Sequence, residues 1–98
     1  MDNVSLKLDK EGKGEFFIDI NGERMAEMIV GVSGKILTAY HTEVHPAAEG
    51  KGMAKELLNA MVKYVRANDM KVVPLCPFVH AQFKRHLDQY SDIWYKSI

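Results

Sequence analysis

Apolar and polar residues alternate from Val4 to Leu8, as they do in a half-buried strand. Glu11-Gly12-Lys13-Gly14 then predicts a turn, and Phe16-Phe17-Ile18-Asp19-Ile20 a second strand. Asn21-Gly22 follows, and both positions tolerate positive φ, so the chain is expected to reverse there in a tight hairpin. Met25 to Val32 reads as the return strand, and Ser33-Gly34 as the next turn. Ile36 to Val44 is a long strand. Strict alternation puts Ile36, Thr38, Tyr40, Thr42 and Val44 on one face, and Leu37, Ala39, His41 and Glu43 on the other. The result is an antiparallel meander of about four strands.

From Gly52 to Asn68 the period lengthens. Met53, Leu57, Met61, Tyr64 and Val65 recur at helical spacing, and Asn68 suits a helix end. Lys71 to Leu75 predicts a short strand whose Pro74 belongs at an edge, an end or a bulge. Pro77 suits the first turn of a second helix from Phe78 to Leu87, with Val79, Phe83 and Leu87 on one face. Meander, helix, strand, helix is an α+β order.

A chain of 98 residues without repeat or linker is one domain, 1–98. Thirteen basic and thirteen acidic residues leave no formal net charge, which argues against a general nucleic-acid binder. One cysteine can form no internal disulfide and no metal-type pair, and no metal site is expected. No signal-peptide pattern is read at the N-terminus, and no apolar run approaches the ~20 residues that cross a bilayer. A cytoplasmic protein without membrane contact, a monomer or weak dimer, is expected.

The candidate chemistry centres on Val44-His45-Pro46-Ala47-Ala48-Glu49-Gly50-Lys51-Gly52-Met53-Ala54. It reads as a strand end, a glycine turn and a helix start. The first helical amides lack intrahelical partners and carry the positive end of the helix dipole, which suits a phosphate or pyrophosphate. Lys51 adds a full positive charge. The Walker ending is missing, and so is the third glycine of the dinucleotide fingerprint, although Asp69 lies near the spacing of its acidic residue.

Glu49-Gly50-Lys51-Gly52-Met53-Ala54 resembles the acyl-CoA motif of the GNAT superfamily of N-acetyltransferases, Gln/Arg-x-x-Gly-x-Gly/Ala. Gly52 and Ala54 match its last two fixed positions, and Glu49 departs from the first. His41-Thr42-Glu43-Val44-His45-Pro46 and Cys76-Pro77-Phe78-Val79 together resemble the minimal stand-alone (YjdJ-like) branch, over nearly the whole chain. The resemblance implies a GNAT-like fold in which a splayed strand pair opens one cofactor cleft. It implies acetyl-CoA or coenzyme A as cofactor, held by Val44, Glu49, Gly50, Lys51, Gly52, Met53, Ala54, Cys76 and Phe78, and an unidentified amine as acceptor. A non-catalytic CoA-binding or sensing module, or a cofactor-free interaction domain, are the alternatives.

Cys76 precedes Pro77 and is expected at a helix N-terminus, where a thiol is activated; it reads equally as a small buried hydrophobe. In the branch it resembles, a cysteine there implies an acyl-carrying thiol or a group beside the thioester. His41, two residues from Glu43, is the leading candidate for the base that deprotonates the amine, against a hydrogen-bonded core histidine. Glu43 is read as a solvated residue, with a base role as its alternative, and His45 as structural. His80, four residues after Cys76, is read as a surface histidine, with a Cys–His pair as its alternative. Tyr90, Ile93, Trp94 and Tyr95 are expected to pack as a tail that closes the core, with a peptide- or substrate-binding lip as the alternative, and the six methionines to fill it.

Overall fold

In the computed structural model, residues 3–96 are described, so four positions of the expected 1–98 domain lie outside them. The alternating segments form four antiparallel strands: β1 (Ser5–Leu8), β2 (Lys13–Ile20), β3 (Glu23–Ser33) and β4 (Ile36–Val44). Each pairs with the next in sequence, as the short turns require. Asn21 and Gly22 both have positive φ (53° and 80°), as the tight β2–β3 hairpin demands. Helix α1 (Met53–Ala67) crosses over to β5 (Lys71–Pro74), which joins β4 in parallel and gives the order β1-β2-β3-β4-β5. Helices α2 (Pro77–Arg85) and α3 (Leu87–Tyr90) follow. The α+β order read from the sequence is the one observed.

One sheet face makes the core. Phe16, Ile18, Met28, Val30, Leu37, Ala39 and Val72 meet Leu57, Leu58, Met61, Val65, Val79 and Phe83 there, all nearly fully buried. The α1 stripe is wider than the periodicity indicated: Leu58 and Val62 are buried too, while Met53 and Tyr64 sit at its margin. Asn68 ends α1, its side chain donating to the Tyr64 carbonyl at 2.8 Å. Two expectations fail locally. The Glu11–Gly14 turn is shorter, because β2 already begins at Lys13. Leu87 does not share the core face of α2: the helix ends at Arg85, the chain turns at His86, and Leu87 is 52% exposed.

The C-terminal segment does close the core. Tyr90 and Ile93 are buried, and Phe83 stacks on Tyr90 with ring centroids 5.0 Å apart. The Val72 N–H donates to the Ile93 carbonyl and the Tyr95 N–H to the Val72 carbonyl, so the segment lies along β5. Arg66 on α1 holds it through Asp92 (3.0 Å) and the Gln89 carbonyl (2.6 Å).

The opposite face of the sheet is covered by no helix of the described residues. It carries Glu15, Phe17, Glu27, Ile29, Gly31 and Thr38, none fully buried.

Candidate functional site

The site begins where two strands part. β4 and β5 pair over four positions, from Ile36↔Lys71 to Ala39↔Pro74. The Cys76 N–H then donates to the Ala39 carbonyl at 2.8 Å. Beyond it, β4 runs on to Val44 while the other chain turns into α2, and a wedge opens between them.

The backbone of β4 supplies one wall. His45 N–H donates to the Met25 carbonyl at 2.8 Å. Bonds to one antiparallel neighbour recur at every second residue, so His41, Glu43 and His45 turn their backbone groups to β3. Those of Thr42 and Val44 face the wedge. A ligand carrying amides can pair with such an edge.

At its wide end the wedge meets the glycine turn. His45 caps the 3-10 turn Pro46–Ala48, its Nδ1 accepting from the Ala47 N–H at 3.0 Å, which is the structural role expected of it. Glu49 is extended; Gly50 and Gly52 adopt φ of 82° and 77°. L side chains rarely adopt that region, so the turn needs glycine at both positions. A Cβ at either would meet no atom within 4 Å, so backbone conformation rather than crowding selects glycine. The first α1 bond runs from the Glu56 N–H to the Gly52 carbonyl, at 3.1 Å. The N–H groups of Met53, Ala54 and Lys55 therefore have no helical acceptor. Lys51 is exposed beside them, as is Glu49.

Cys76 lies at the wedge floor as the N-cap of α2, with Pro77 in the first turn. Its side chain is 1% exposed, and its Sγ lies 3.2 Å from Thr42 Oγ1, where either atom can donate. Phe78 in α2, Val44 at the end of β4 and Met53 at the start of α1 are each half-buried and pack against the core. β4 thus leads from Thr42, which touches Cys76, through Val44 to the turn from Glu49 to Ala54.

His41 is placed elsewhere. The β3–β4 register slips between Ile29 and Val30: Ile29 faces His41, but Val30 faces Ala39, and Tyr40 is the extra residue. This bulge breaks the expected alternation. Thr42 and Val44 join Leu37 and Ala39 on the core side, while Tyr40, His41 and Glu43 stand on the uncovered face. His41 is therefore not a core histidine. Its side chain is 57% exposed and its Nε2 lies 3.6 Å from Glu43 Oε2. His80 is exposed, packed edge-on against Trp94 with centroids 5.5 Å apart. Tyr40 and Thr42 were not singled out by their residue types, because no local signal in the sequence marks a bulge.

Glu27, Glu43, His45, Pro46, Met25 and Arg24 line a cavity of about 430 Å³ at the end of β3 and β4. Arg24 is tied within this face to Asp19 (2.7 Å) and Glu27 (2.8 Å) and lies 4.1 Å over the Phe17 ring. Asp19, then Glu27, raise its pKa further above its ordinary value. No helix among the described residues is long and apolar enough to cross a membrane.

Comparison with known proteins fits this geometry. Protein NATD1 of Gallus gallus is 32% identical over 92 residues, which are 91% of this chain and 83% of that protein. The solution structure of a GCN5-like candidate N-acetyltransferase from Staphylococcus aureus superposes with a TM-score of 0.68 at 27% identity, covering 100% of this chain and 94% of that one. An aminoglycoside N-acetyltransferase, AAC(6')-Iy, solved in complex with CoA, shares the fold alone: TM-score 0.54, 13% identity, 88% of this chain and 69% of that one. The profile of GCN5-related N-acetyl-transferases matches residues 15–93. With that match spanning most of the sheet, the wedge and the glycine turn, the chain belongs to the GCN5-related N-acetyltransferase family.

Proposed function

We propose that this chain binds acetyl-CoA in the wedge and transfers the acetyl group to an amine. The observation that carries the reading is the junction of the β4–β5 wedge with the glycine turn. An unpaired strand edge leads through a 3-10 turn and the glycine turn to a helix N-terminus with free amides. The amides of Met53, Ala54 and Lys55, with Gly50 and Gly52 shaping the approach, hold the pyrophosphate, and Lys51 adds charge. Glu49 stands where the family motif has Gln or Arg and weakens that field. The backbone of Thr42 and Val44 pairs with the pantetheine amides, with Phe78 and Met53 as apolar walls. When bound, acetyl-CoA supplies an activated acyl carbon.

Cys76 lines the floor beside the thioester. Its burial and its contact with Thr42 favour a wall of the acyl pocket over an exposed nucleophile. His41, with Glu43 3.6 Å away, accepts the proton of the incoming ammonium from the uncovered face.

Calorimetric titration with acetyl-CoA tests the reading, with Gly52→Val as the control. Binding that Gly52→Val weakens, followed by acetylation of an added amine, supports it. A folded protein that binds no acetyl-CoA overturns it. Binding without turnover on a panel of amines leaves a CoA-binding module.

A further inference from the structure

We propose that the acceptor carries a second positive charge, held in the cavity at the end of β3 and β4, and is a small aliphatic diamine or polyamine. This deepens the acyl-transfer reading and rests on it.

Three observations converge. The core face of the sheet is filled by α1 and α2, whereas no helix of the described residues covers the other face, where His41 is exposed to an acceptor. The bulge at Tyr40 puts two consecutive side chains, Tyr40 and His41, on that face. Tyr40 lies over Gly31, where a Cβ would come within 3.2 Å of its ring, so a glycine makes room for an aromatic platform that is 50% exposed. One step further along β4 the 430 Å³ cavity opens, on the order of the smallest sites that enclose small ligands.

The cavity's charge sets the ligand class. Glu27 and Glu43 face each other directly across β3 and β4. Like charges so placed are destabilising. Arg24 is shared among Glu27, Asp19 and Glu15 (2.8, 2.7 and 3.7 Å). Glu43 is paired with His41 alone among the described residues, a histidine needed neutral to accept a proton. Glu23 faces His45 at 3.7 Å. Negative charge thus exceeds positive around the cavity mouth, and a ligand's ammonium group relieves it. Successive outward positions on β4 lie ~7 Å apart, so an amine beside His41 and a cation between Glu27 and Glu43 are about one short alkyl chain apart. In the reaction His41 first takes a proton from the ammonium, the free amine nitrogen then bonds to the acyl carbon as the carbon–sulfur bond breaks, and the proton that the nitrogen sheds goes to the departing CoA thiolate.

Cadaverine and n-pentylamine, equal in carbon chain and differing in the second charge, are compared as acceptors at saturating acetyl-CoA. The expected kcat/KM ratio favours cadaverine by about fivefold, the scale of one partly exposed ion pair, and falls toward one in Glu43→Gln. Cadaverine is also expected to shift backbone amide resonances of Glu27, Glu43 and His45 in the CoA-free protein, and not in Glu43→Gln. Acetyl-CoA binding with equal turnover of the two amines, with no turnover of cadaverine, or with a preference that survives Glu43→Gln overturns this inference alone. Absence of acetyl-CoA binding overturns the acyl-transfer reading and this inference with it.

Discussion

The Thr42 hydroxyl and the Cys76 thiol meet at 3.2 Å, joining β4 to the start of α2 at the floor of the wedge. One partner belongs to the meander and the other to the crossover unit, so the contact sets how far the two lips part. Removing the hydroxyl while keeping the shape, as in Thr42→Val, deletes one weak hydrogen bond. The expected cost is about 1 kcal/mol or less in denaturant unfolding.

Cys76 is 1% exposed, and its reactivity should reflect that. Iodoacetamide is expected to label the native protein far more slowly than the denatured chain, with acetyl-CoA slowing it further. Fast labelling of native protein would mean that the floor opens in solution. Cys76→Ser is expected to retain amine acetylation, as direct transfer requires. An acetyl adduct on the intact protein that disappears in Cys76→Ser would instead make the thiol an acyl carrier.

Gly52 tests the turn. A valine there combines a β-branched side chain with a φ of 77°, an outlier for such residues. The strain is ~1–3 kcal/mol and is relieved by moving the first turn of α1. Thermal stability should fall modestly, since a Cβ meets open space, while acetyl-CoA affinity falls by a larger factor. Equal affinity in a folded variant would remove the turn from the binding site.

Lys51 and Glu49 are both exposed beside the free amides and act through a screened field. Lys51→Ala is expected to weaken acetyl-CoA binding by about fivefold at most, and less at high salt. Glu49→Arg should strengthen it with the same salt dependence. The check is the affinity of each variant at two ionic strengths.

The Arg66 guanidinium beside Asp92 holds that carboxyl below its ordinary range. A folded pKa below the unfolded one adds stability above the unfolded value, ~4, and the gain is lost as pH falls through the folded pKa. Wild type should therefore exceed Arg66→Met in denaturant midpoint at neutral pH, and the gap should narrow under acid. Asp92 is 62% exposed, so the effect is small.

Much of this fold is written in local patterns. Asn21-Gly22 marks its hairpin through the φ both residues tolerate, and the α1 stripe marks itself by its period. The turn itself was legible from Gly50 and Gly52 between a strand and a helical period, while a plain tight turn fits those residues as well as a ligand loop does. The face of His41 was not legible. Alternation is a rule of period two, and one inserted residue at Tyr40 inverts everything after it. Nothing local to Tyr40 encodes the slip; it follows from pairing with β3. Cys76 carried two readings, a thiol at a helix N-terminus and a small buried hydrophobe, and it is both the N-cap of α2 and 1% exposed. Leu87 kept the helical period after the helix itself had ended.

The four-residue pairing of β4 with β5 has a kinetic consequence. β2 and β3 pair over eight positions between neighbours in sequence, whereas β5 reaches β4 only after the chain has passed through all of α1. Short-range hairpins close early, and parallel pairings across a crossover close late. The same inequality governs opening in the native protein, since regions with few pairings unfold locally at lower free energy. Amide hydrogens of Lys71 and Cys76, bonded across that seam to the Lys35 and Ala39 carbonyls, should exchange with solvent sooner than those of Met28 and Val30. The seam that parts most readily is then the one through which the proposed function has the pantetheine arm enter.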